Sequence, residues 1–176
     1  EAFKKVDGTS WLLHYNVIFQ SNLILDNLYR VQDLPKDREN FYRGHCYFAK
    51  GLMYYEIARR WGNAPITRDS KSIDPLGRSD AKVVLDTALS NALRAFDLLK
   101  NYEEAVDYNG QKLKKYYAHK GAAAALLANI YAWKGGVFND PDAYKETEKY
   151  CTLIIENKVG IYSRPAKLTD QLKDGD

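Results

Sequence analysis

Apolar residues recur along most of this chain at intervals of three and four, and strict alternation never persists beyond a few positions. That is the period of helices rather than strands, so the predicted fold class is all-α with little or no sheet. Five helices can be placed. The first covers residues 10–30 and carries Trp11, Tyr15, Ile18, Asn22 and Leu25 on one stripe of an amphipathic helix. Asn22 falls on the apolar side, so its amide is expected to be buried and hydrogen-bonded. The second covers 35–61, with Phe41, Cys46, Phe48, Leu52, Tyr55 and Ile57 supplying most of its apolar surface. Pro35 near its start and Gly62 just past its end match the usual asymmetry of helix termini. Gly62 is expected to be the left-handed residue that closes the helix, and Pro65 keeps the helix from resuming. The third begins at "GRSDAKVV" with Ser79 as N-cap and Asp80 at the positive end of the helix dipole. It runs to about residue 100, with Val84, Ala88, Leu89, Ala92, Ala95, Phe96 and Leu99 facing in. The fourth, 113–134, contains "GAAAALLANIYAW", whose small residues Gly121 to Ala125 allow a neighbouring helix to come close. The fifth is capped by Asp140, has Pro141 at its first position, and reaches about residue 157.

An internal repeat is visible at an offset of 77 residues. It aligns Gly44 with Gly121, Gly51 with Ala128 and Tyr54 with Tyr131. Small-x-x-Tyr units such as "GLMY" and "ANIY" are what the first helix of a tetratricopeptide-like hairpin carries, and the ordinary period there is roughly 34 residues. The third and fifth helices are then the second helices of two hairpins. Residues 62–78 and 101–111 are expected to be expanded loops.

Composition adds limits. At 176 residues, 45% hydrophobic and 28% charged, the chain suits one helical domain with a real core. No apolar run reaches the roughly 18 residues of a membrane span. Net charge is +3 with no block of five like charges, which argues against a nucleic-acid partner. Tyrosine is abundant, 14 residues, mostly inside helical patterns, where packing is the ordinary use and carbohydrate stacking the specialised one. Cys46 and Cys151 lie 105 residues apart without CxxC spacing. A zinc site is not expected. Free thiols are the default, and a disulfide between the two stays open.

Candidate chemistry is sparse. His14, His45 and His119 sit on three different helices without metal spacing and read as surface or packing residues. No nucleophile elbow, phosphate loop, paired catalytic carboxylates or cofactor motif stands out. The expectation is a protein that is not an enzyme and uses no cofactor. For binding, a saccharide wants flat aromatic faces and fixed polar groups on loops over a rigid scaffold. The stretch following the second helix offers Trp61, Asn63 and Arg68 as candidate ligand-binding residues, with helix closure the competing role for Trp61.

The order of these pieces resembles the SusD/RagB-like family. "RGHCYFAKGLMYYEIARRWGNAPIT" is similar to that family's "R-A-x-x-Y-F-x-L-x-x-x-[YF]-G-x-[VI]-P" through Tyr47, Phe48, Gly62 and Pro65, with Trp61 where Tyr or Phe is usual. Arg78-Ser79 matches its "R-[ST]" helix opening. Lys120 to Tyr131 matches "K-x-A-A-x-A-L-L-A-x-[VI]-Y", and "YKETEKYCTLII", followed by Gly160 and Tyr162, matches its fifth helix. The resemblance runs from Trp11 to Tyr162. Gly44-His45 replaces the more usual Arg-Ala, and a mid-helix glycine costs about 1 kcal/mol against alanine.

The resemblance implies a SusD-like helical scaffold and a non-enzymatic, cell-surface glycan- or nutrient-binding component of the Bacteroidetes outer membrane. Its partners would be a TonB-dependent outer-membrane transporter and an oligo- or polysaccharide. It also implies a lipid anchor upstream of Glu1 on the extracellular face, and a longer protein whose C-terminal part, supplying much of the ligand surface, is absent from residues 1–176. The alternative expectation, from the repeat alone, is a tetratricopeptide-like adaptor for a peptide or protein.

Overall fold

A computed structural model describes residues 10–162 except 73, 108 and 115. Its order is α1 (Leu12–Asn27), α2 (Lys36–Trp61), α3 (Ala81–Leu98), α4 (Lys120–Phe138) and α5 (Pro141–Ile155). Single 3-10 turns lie at Leu28–Arg30 and Tyr102–Glu104. Among the described residues the extended pairing is limited to isolated bridges, so the all-α expectation is met. α2 packs on α3 and α4 on α5, with α3 against α4 between them and α1 along α2. These are the two hairpins that the 77-residue repeat called for.

The longest helix starts where Pro35 cannot extend it backwards. The Pro35 carbonyl accepts from Arg38 and Glu39 N–H, both at 2.9 Å. Asp37 and Glu39 occupy its first turn and Arg59 and Arg60 its last, each with the sign that the helix dipole favours. Gly62 ends it with N–H donated to Ala58 O at 3.1 Å. Its φ of 70° is positive as expected, but ψ is −104°, outside the left-handed helical region. Side chains are excluded there more strictly than in an ordinary left-handed cap.

The α2–α3 seam is close because Gly51 faces Ala88 and Ala92. A Cβ at Gly51 would lie 3.1 Å from Ala92 N and 3.3 Å from Ala88 O. Gly44, which looked like a weakness in the sequence, does the same one level up. Its missing Cβ leaves room for Leu99, whose Cδ2 would otherwise be 2.8 Å away. Tyr54, Ile57, Ile18, Val84, Leu85, Leu127 and Ile130 are fully buried at the centre. Tyrosine serves packing here: Tyr131 stacks on Tyr150 at 5.9 Å between ring centroids, and Phe96 meets Tyr150 edge-on at 5.5 Å. Cys46 and Cys151 are free, and burial pushes the Cys46 thiol up to about 11.

Three expectations are corrected. Ser79 does not cap α3. Its backbone pairs with Ala64 in a two-bond bridge, Asp80 takes the cap position without a side-chain bond, and Asn63 Oδ1 accepts Ala81 N–H at 2.9 Å. α4 begins at Lys120, not near 113, because the preceding backbone is satisfied elsewhere. Leu113 N–H donates to Ala105 O at 2.9 Å, and the His119 ring accepts Ala122 N–H at 3.1 Å as the true N-cap. α4 also runs through Gly135 and Gly136 to Phe138, with Asn139 left-handed at its end. The Tyr144 ring lies against Gly135, where a Cβ would come within 2.8 Å of it. Finally, α1 is not one-sided. Ile18 and Asn22 face in as expected, but Leu13, Phe19 and Ile24 on the other side are exposed.

Candidate functional site

The segment from Gly62 to Asp80 crosses from the end of α2 to the start of α3, and its course is fixed by hydrogen bonds to buried and half-buried side chains. Tyr15 donates its hydroxyl to Pro65 O at 2.6 Å. Tyr54 accepts Thr67 N–H at 2.9 Å and reaches Thr67 O at 3.1 Å. Asn22 donates to Asp69 O at 3.2 Å, so the buried amide predicted on α1 is satisfied by this loop. Asp26 accepts Ser70 N–H at 2.7 Å and the Ser70 hydroxyl at 2.8 Å. Asp69 closes a local turn by accepting Lys71 and Ser72 N–H, both at 2.8 Å, which hold its carboxyl below the usual range. A loop tied at four points to two helices is a preformed wall.

Between this wall and the outer face of α3 runs an open groove of mixed polar and apolar surface. Its two halves, about 650 and 390 Å³, share Ile66, Thr67, Arg68, Val83 and Thr87. Loop residues Asp69 and Ser72 line the first half. The second half is deepened by Lys50 and Tyr54 from α2 and bounded by Asp86, Ser90, Asn91 and Arg94 from α3.

Lys50 is the unusual member. It is 8% exposed, and Nζ donates to Asn22 Oδ1 at 2.5 Å. Among the described residues no carboxylate lies within ion-pair distance of it. Burial lowers its pKa, the negative charge of Asp26 opposes that, and Arg94 adds to the lowering. A buried ammonium with a neutral partner and spare donors is costly to keep.

The three residues predicted as binding candidates are used differently. Trp61 lies 6.2 Å from the Trp11 ring and edge-on to His14 at 5.3 Å, and Arg78 covers Trp11 at 5.1 Å. Asn63 Oδ1 is engaged at the start of α3. Arg68 is exposed and lines the groove. The structure brings it beside Lys50, Thr87 and Arg94, which the sequence reading did not select. A signal existed for Lys50: Cys46, Lys50 and Tyr54 recur at i, i+4 and i+8, placing a lysine on the inward stripe of α2.

A second, smaller cavity of about 140 Å³ lies between the first turns of α2 and the loop after α3, with His45, Leu99 and Leu113 among its walls. His45 Nδ1 is 2.8 Å from Phe41 O, Nε2 is buried without a hydrogen-bond partner among the described residues, and desolvation lowers the pKa. Among the described residues no group of three His, Cys, Asp or Glu could hold a metal ion.

Comparison with known proteins places this arrangement. A family model described as "Starch-binding associating with outer membrane" matches residues 3–132. SusD-like protein P25 of Formosa agariphila is 29% identical over 136 residues, 73% of this chain and 24% of that protein. The crystal structure of a SusD homolog from Bacteroides thetaiotaomicron superposes with a TM-score of 0.76 at 21% identity, covering 87% of this chain and 30% of that one. The chain thus spans about a quarter to a third of the length of these relatives. A stretch of 21 residues, 12% of the chain, is also 95% identical to 21% of UPF0125 protein PM0166 of Pasteurella multocida. It is too short to carry a fold or a function.

Proposed function

The chain belongs to the SusD-like family, and on that premise we propose that it is the helical scaffold of a non-enzymatic glycan- or nutrient-capturing protein. In this reading the protein sits on the extracellular face of the outer membrane through an N-terminal lipid anchor. It delivers oligo- or polysaccharide to a TonB-dependent transporter. Among the described residues no helix is long and apolar enough to cross a membrane, so attachment in this reading depends on the lipid and the partner.

The observation that supports a binding role for this portion is the groove beside the 62–80 loop. Hydroxyl-rich ligands need donors and acceptors fixed before binding, because ordering them afterwards costs about 0.5–1.5 kcal/mol for each side chain immobilised. Thr67 is presented on a wall already tied to α1 and α2, and Thr87, Ser90 and Asn91 on the α3 face opposite it. Catalysis is not part of the proposal: a capture protein needs the saccharide held, not cleaved.

A glycan array probed with the chain tests this reading, with Arg68→Gln in parallel. Retention of at least one glycan class, weakened by the substitution, is expected. No retention of any glycan would refute a binding role for this portion. Co-purification of the membrane-attached protein with a TonB-dependent transporter tests the partnership, and its absence after mild detergent extraction counts against it.

A further inference from the structure

The groove has a charge character that a general saccharide site does not need. Lys50, Arg68 and Arg94 come from α2, the 62–80 loop and α3, and all line the same 390 Å³ space. Among the described residues none of the three has a carboxylate within ion-pair distance. The one acid on that half of the groove, Asp86, is taken by Lys134 at 3.0 Å. Three cations without a direct ion pair therefore line one open space; Asp26 acts on Lys50 only from beyond ion-pair distance, and Lys50 is 8% exposed.

Packing alone does not account for this, although Lys50 also serves the buried Asn22 Oδ1. If the apolar environment alone mattered, a methionine at position 50 would fill the space without desolvating a charge. The ammonium has three donors and, among the described residues, one hydrogen-bond acceptor, the neutral Asn22 Oδ1, so donors remain for a group in the groove. Arg94 also lies over the Tyr47 ring at 5.4 Å, which restrains its guanidinium.

Resting on the glycan-binding reading above, we propose that this groove selects acidic saccharides, with Lys50, Arg68 and Arg94 receiving a carboxylate or sulfate group. Arg68 and Arg94 present planar forks suited to two-oxygen anions. Lys50 supplies a desolvated charge at the floor, where screening by salt is weakest. Ser90 lines the same space, as does Thr87, whose hydroxyl donates to Val83 O and can accept from a ring hydroxyl. The anion offsets the desolvation of Lys50, which lowers its pKa.

The test is titration calorimetry on the 176-residue chain with four probes: trigalacturonate, its neutral methyl ester, dextran sulfate and neutral dextran. The acidic probes are expected to bind at least about tenfold more tightly than their neutral counterparts, the strength of one charge-assisted hydrogen bond. Arg68→Gln and Arg94→Gln should each weaken acidic binding by about threefold to tenfold and leave neutral binding unchanged. Lys145→Gln, on an exposed lysine of α5 outside the groove, should change nothing. Lys50→Met is expected to cause the largest loss, and the two exposed arginine variants keep the test decisive should that variant misfold. Preference for trigalacturonate over dextran sulfate assigns the carboxylate, and the reverse assigns the sulfate.

Equal binding of acidic and neutral probes, both weakened by Arg68→Gln, overturns the acidic class while the glycan-binding reading stands. Acidic binding lost equally with Lys145→Gln shows general attraction to the net charge and also overturns it. No binding to any probe, together with an array on which no glycan is retained, overturns both readings.

Discussion

Tyr54→Phe removes one oxygen from the centre of the fold and tests whether the loop is a preformed wall. Tyr54 is 0% exposed, so the ring stays in place and only the hydroxyl is lost. That oxygen accepts Thr67 N–H at 2.9 Å and lies 3.1 Å from Thr67 O and 3.2 Å from Thr67 Oγ1. Net loss of a hydrogen bond costs about 1 kcal/mol, and a buried group left unsatisfied costs about 1–3 kcal/mol. Thr67 is half-buried, so water can reach it once the loop shifts, and the lower part of that range applies. The expected destabilisation is about 1–2 kcal/mol, a drop of roughly 2–8 °C in Tm for a chain of this size. Hydrogen exchange separates local from global effects. Thr67 N–H should exchange about tenfold or more faster in the variant, since about 1.4 kcal/mol is a factor of ten in an equilibrium constant. The Ala88 and Ala92 amides in α3 should follow only the global change. If Thr67 exchange is unchanged, the loop is not held by Tyr54 and the wall is not preformed.

Gly62→Val should destabilise by more than about 1 kcal/mol in urea titrations, because φ 70° with ψ −104° excludes side chains while the nearest neighbour leaves space. An unchanged midpoint shows the conformation is not required. Gly51→Val should cost about 2 kcal/mol or more by overpacking against the α3 backbone, offset only in part by helix propensity. Gly77→Ala, with open space around it, is the neutral control; equal effects at the two sites contradict the close seam. Stability should also fall as pH drops below about 6.5. Burial lowers the folded pKa of His14 and His45, so between the folded value and 6.5 the unfolded chain binds more protons and stability rises with pH. His45→Phe should flatten that dependence in urea titrations at pH 5.5 and 7.5, and an unaltered slope removes His45 as a contributor.

What could be read from sequence divides by the range of the forces involved. The seams of α2 and α3, and Asp140 with Pro141 at the start of α5, follow from periodicity and capping within a few residues, and they appear where expected. The start of α4 does not, because Leu113 is buried under the loop and bonded to Ala105 rather than extending a helix. Gly44 looked like a cost when judged by propensity alone, and only the neighbouring Leu99 shows what it makes room for. For the groove, residue type drew attention to Trp61, Asn63 and Arg68. Lys50 could have been found on its apolar stripe. Its meeting with Arg68 and Arg94 joins positions up to 44 residues apart and depends on the hairpin packing, so no local pattern contains it.

The groove and the scaffold share residues, and that has a consequence for reading mutants. Asn22 accepts from Lys50 and donates to Asp69 O, so one amide both supports the buried cation and ties down the loop that carries Arg68. Asn22→Leu therefore removes two restraints at once, whereas Asn22→Asp keeps the acceptor, loses the donor and gives Lys50 a carboxylate. If the groove is cationic to receive an anionic ligand, the aspartate supplies that anion from within and should abolish the preference for acidic probes. The chain should remain folded, since a buried charge pair replaces an unpaired charge. If Lys50 serves only to hold Asn22, the aspartate should leave acidic and neutral binding in the same ratio. The same substitution thus gives opposite results for a lysine that binds and a lysine that only supports.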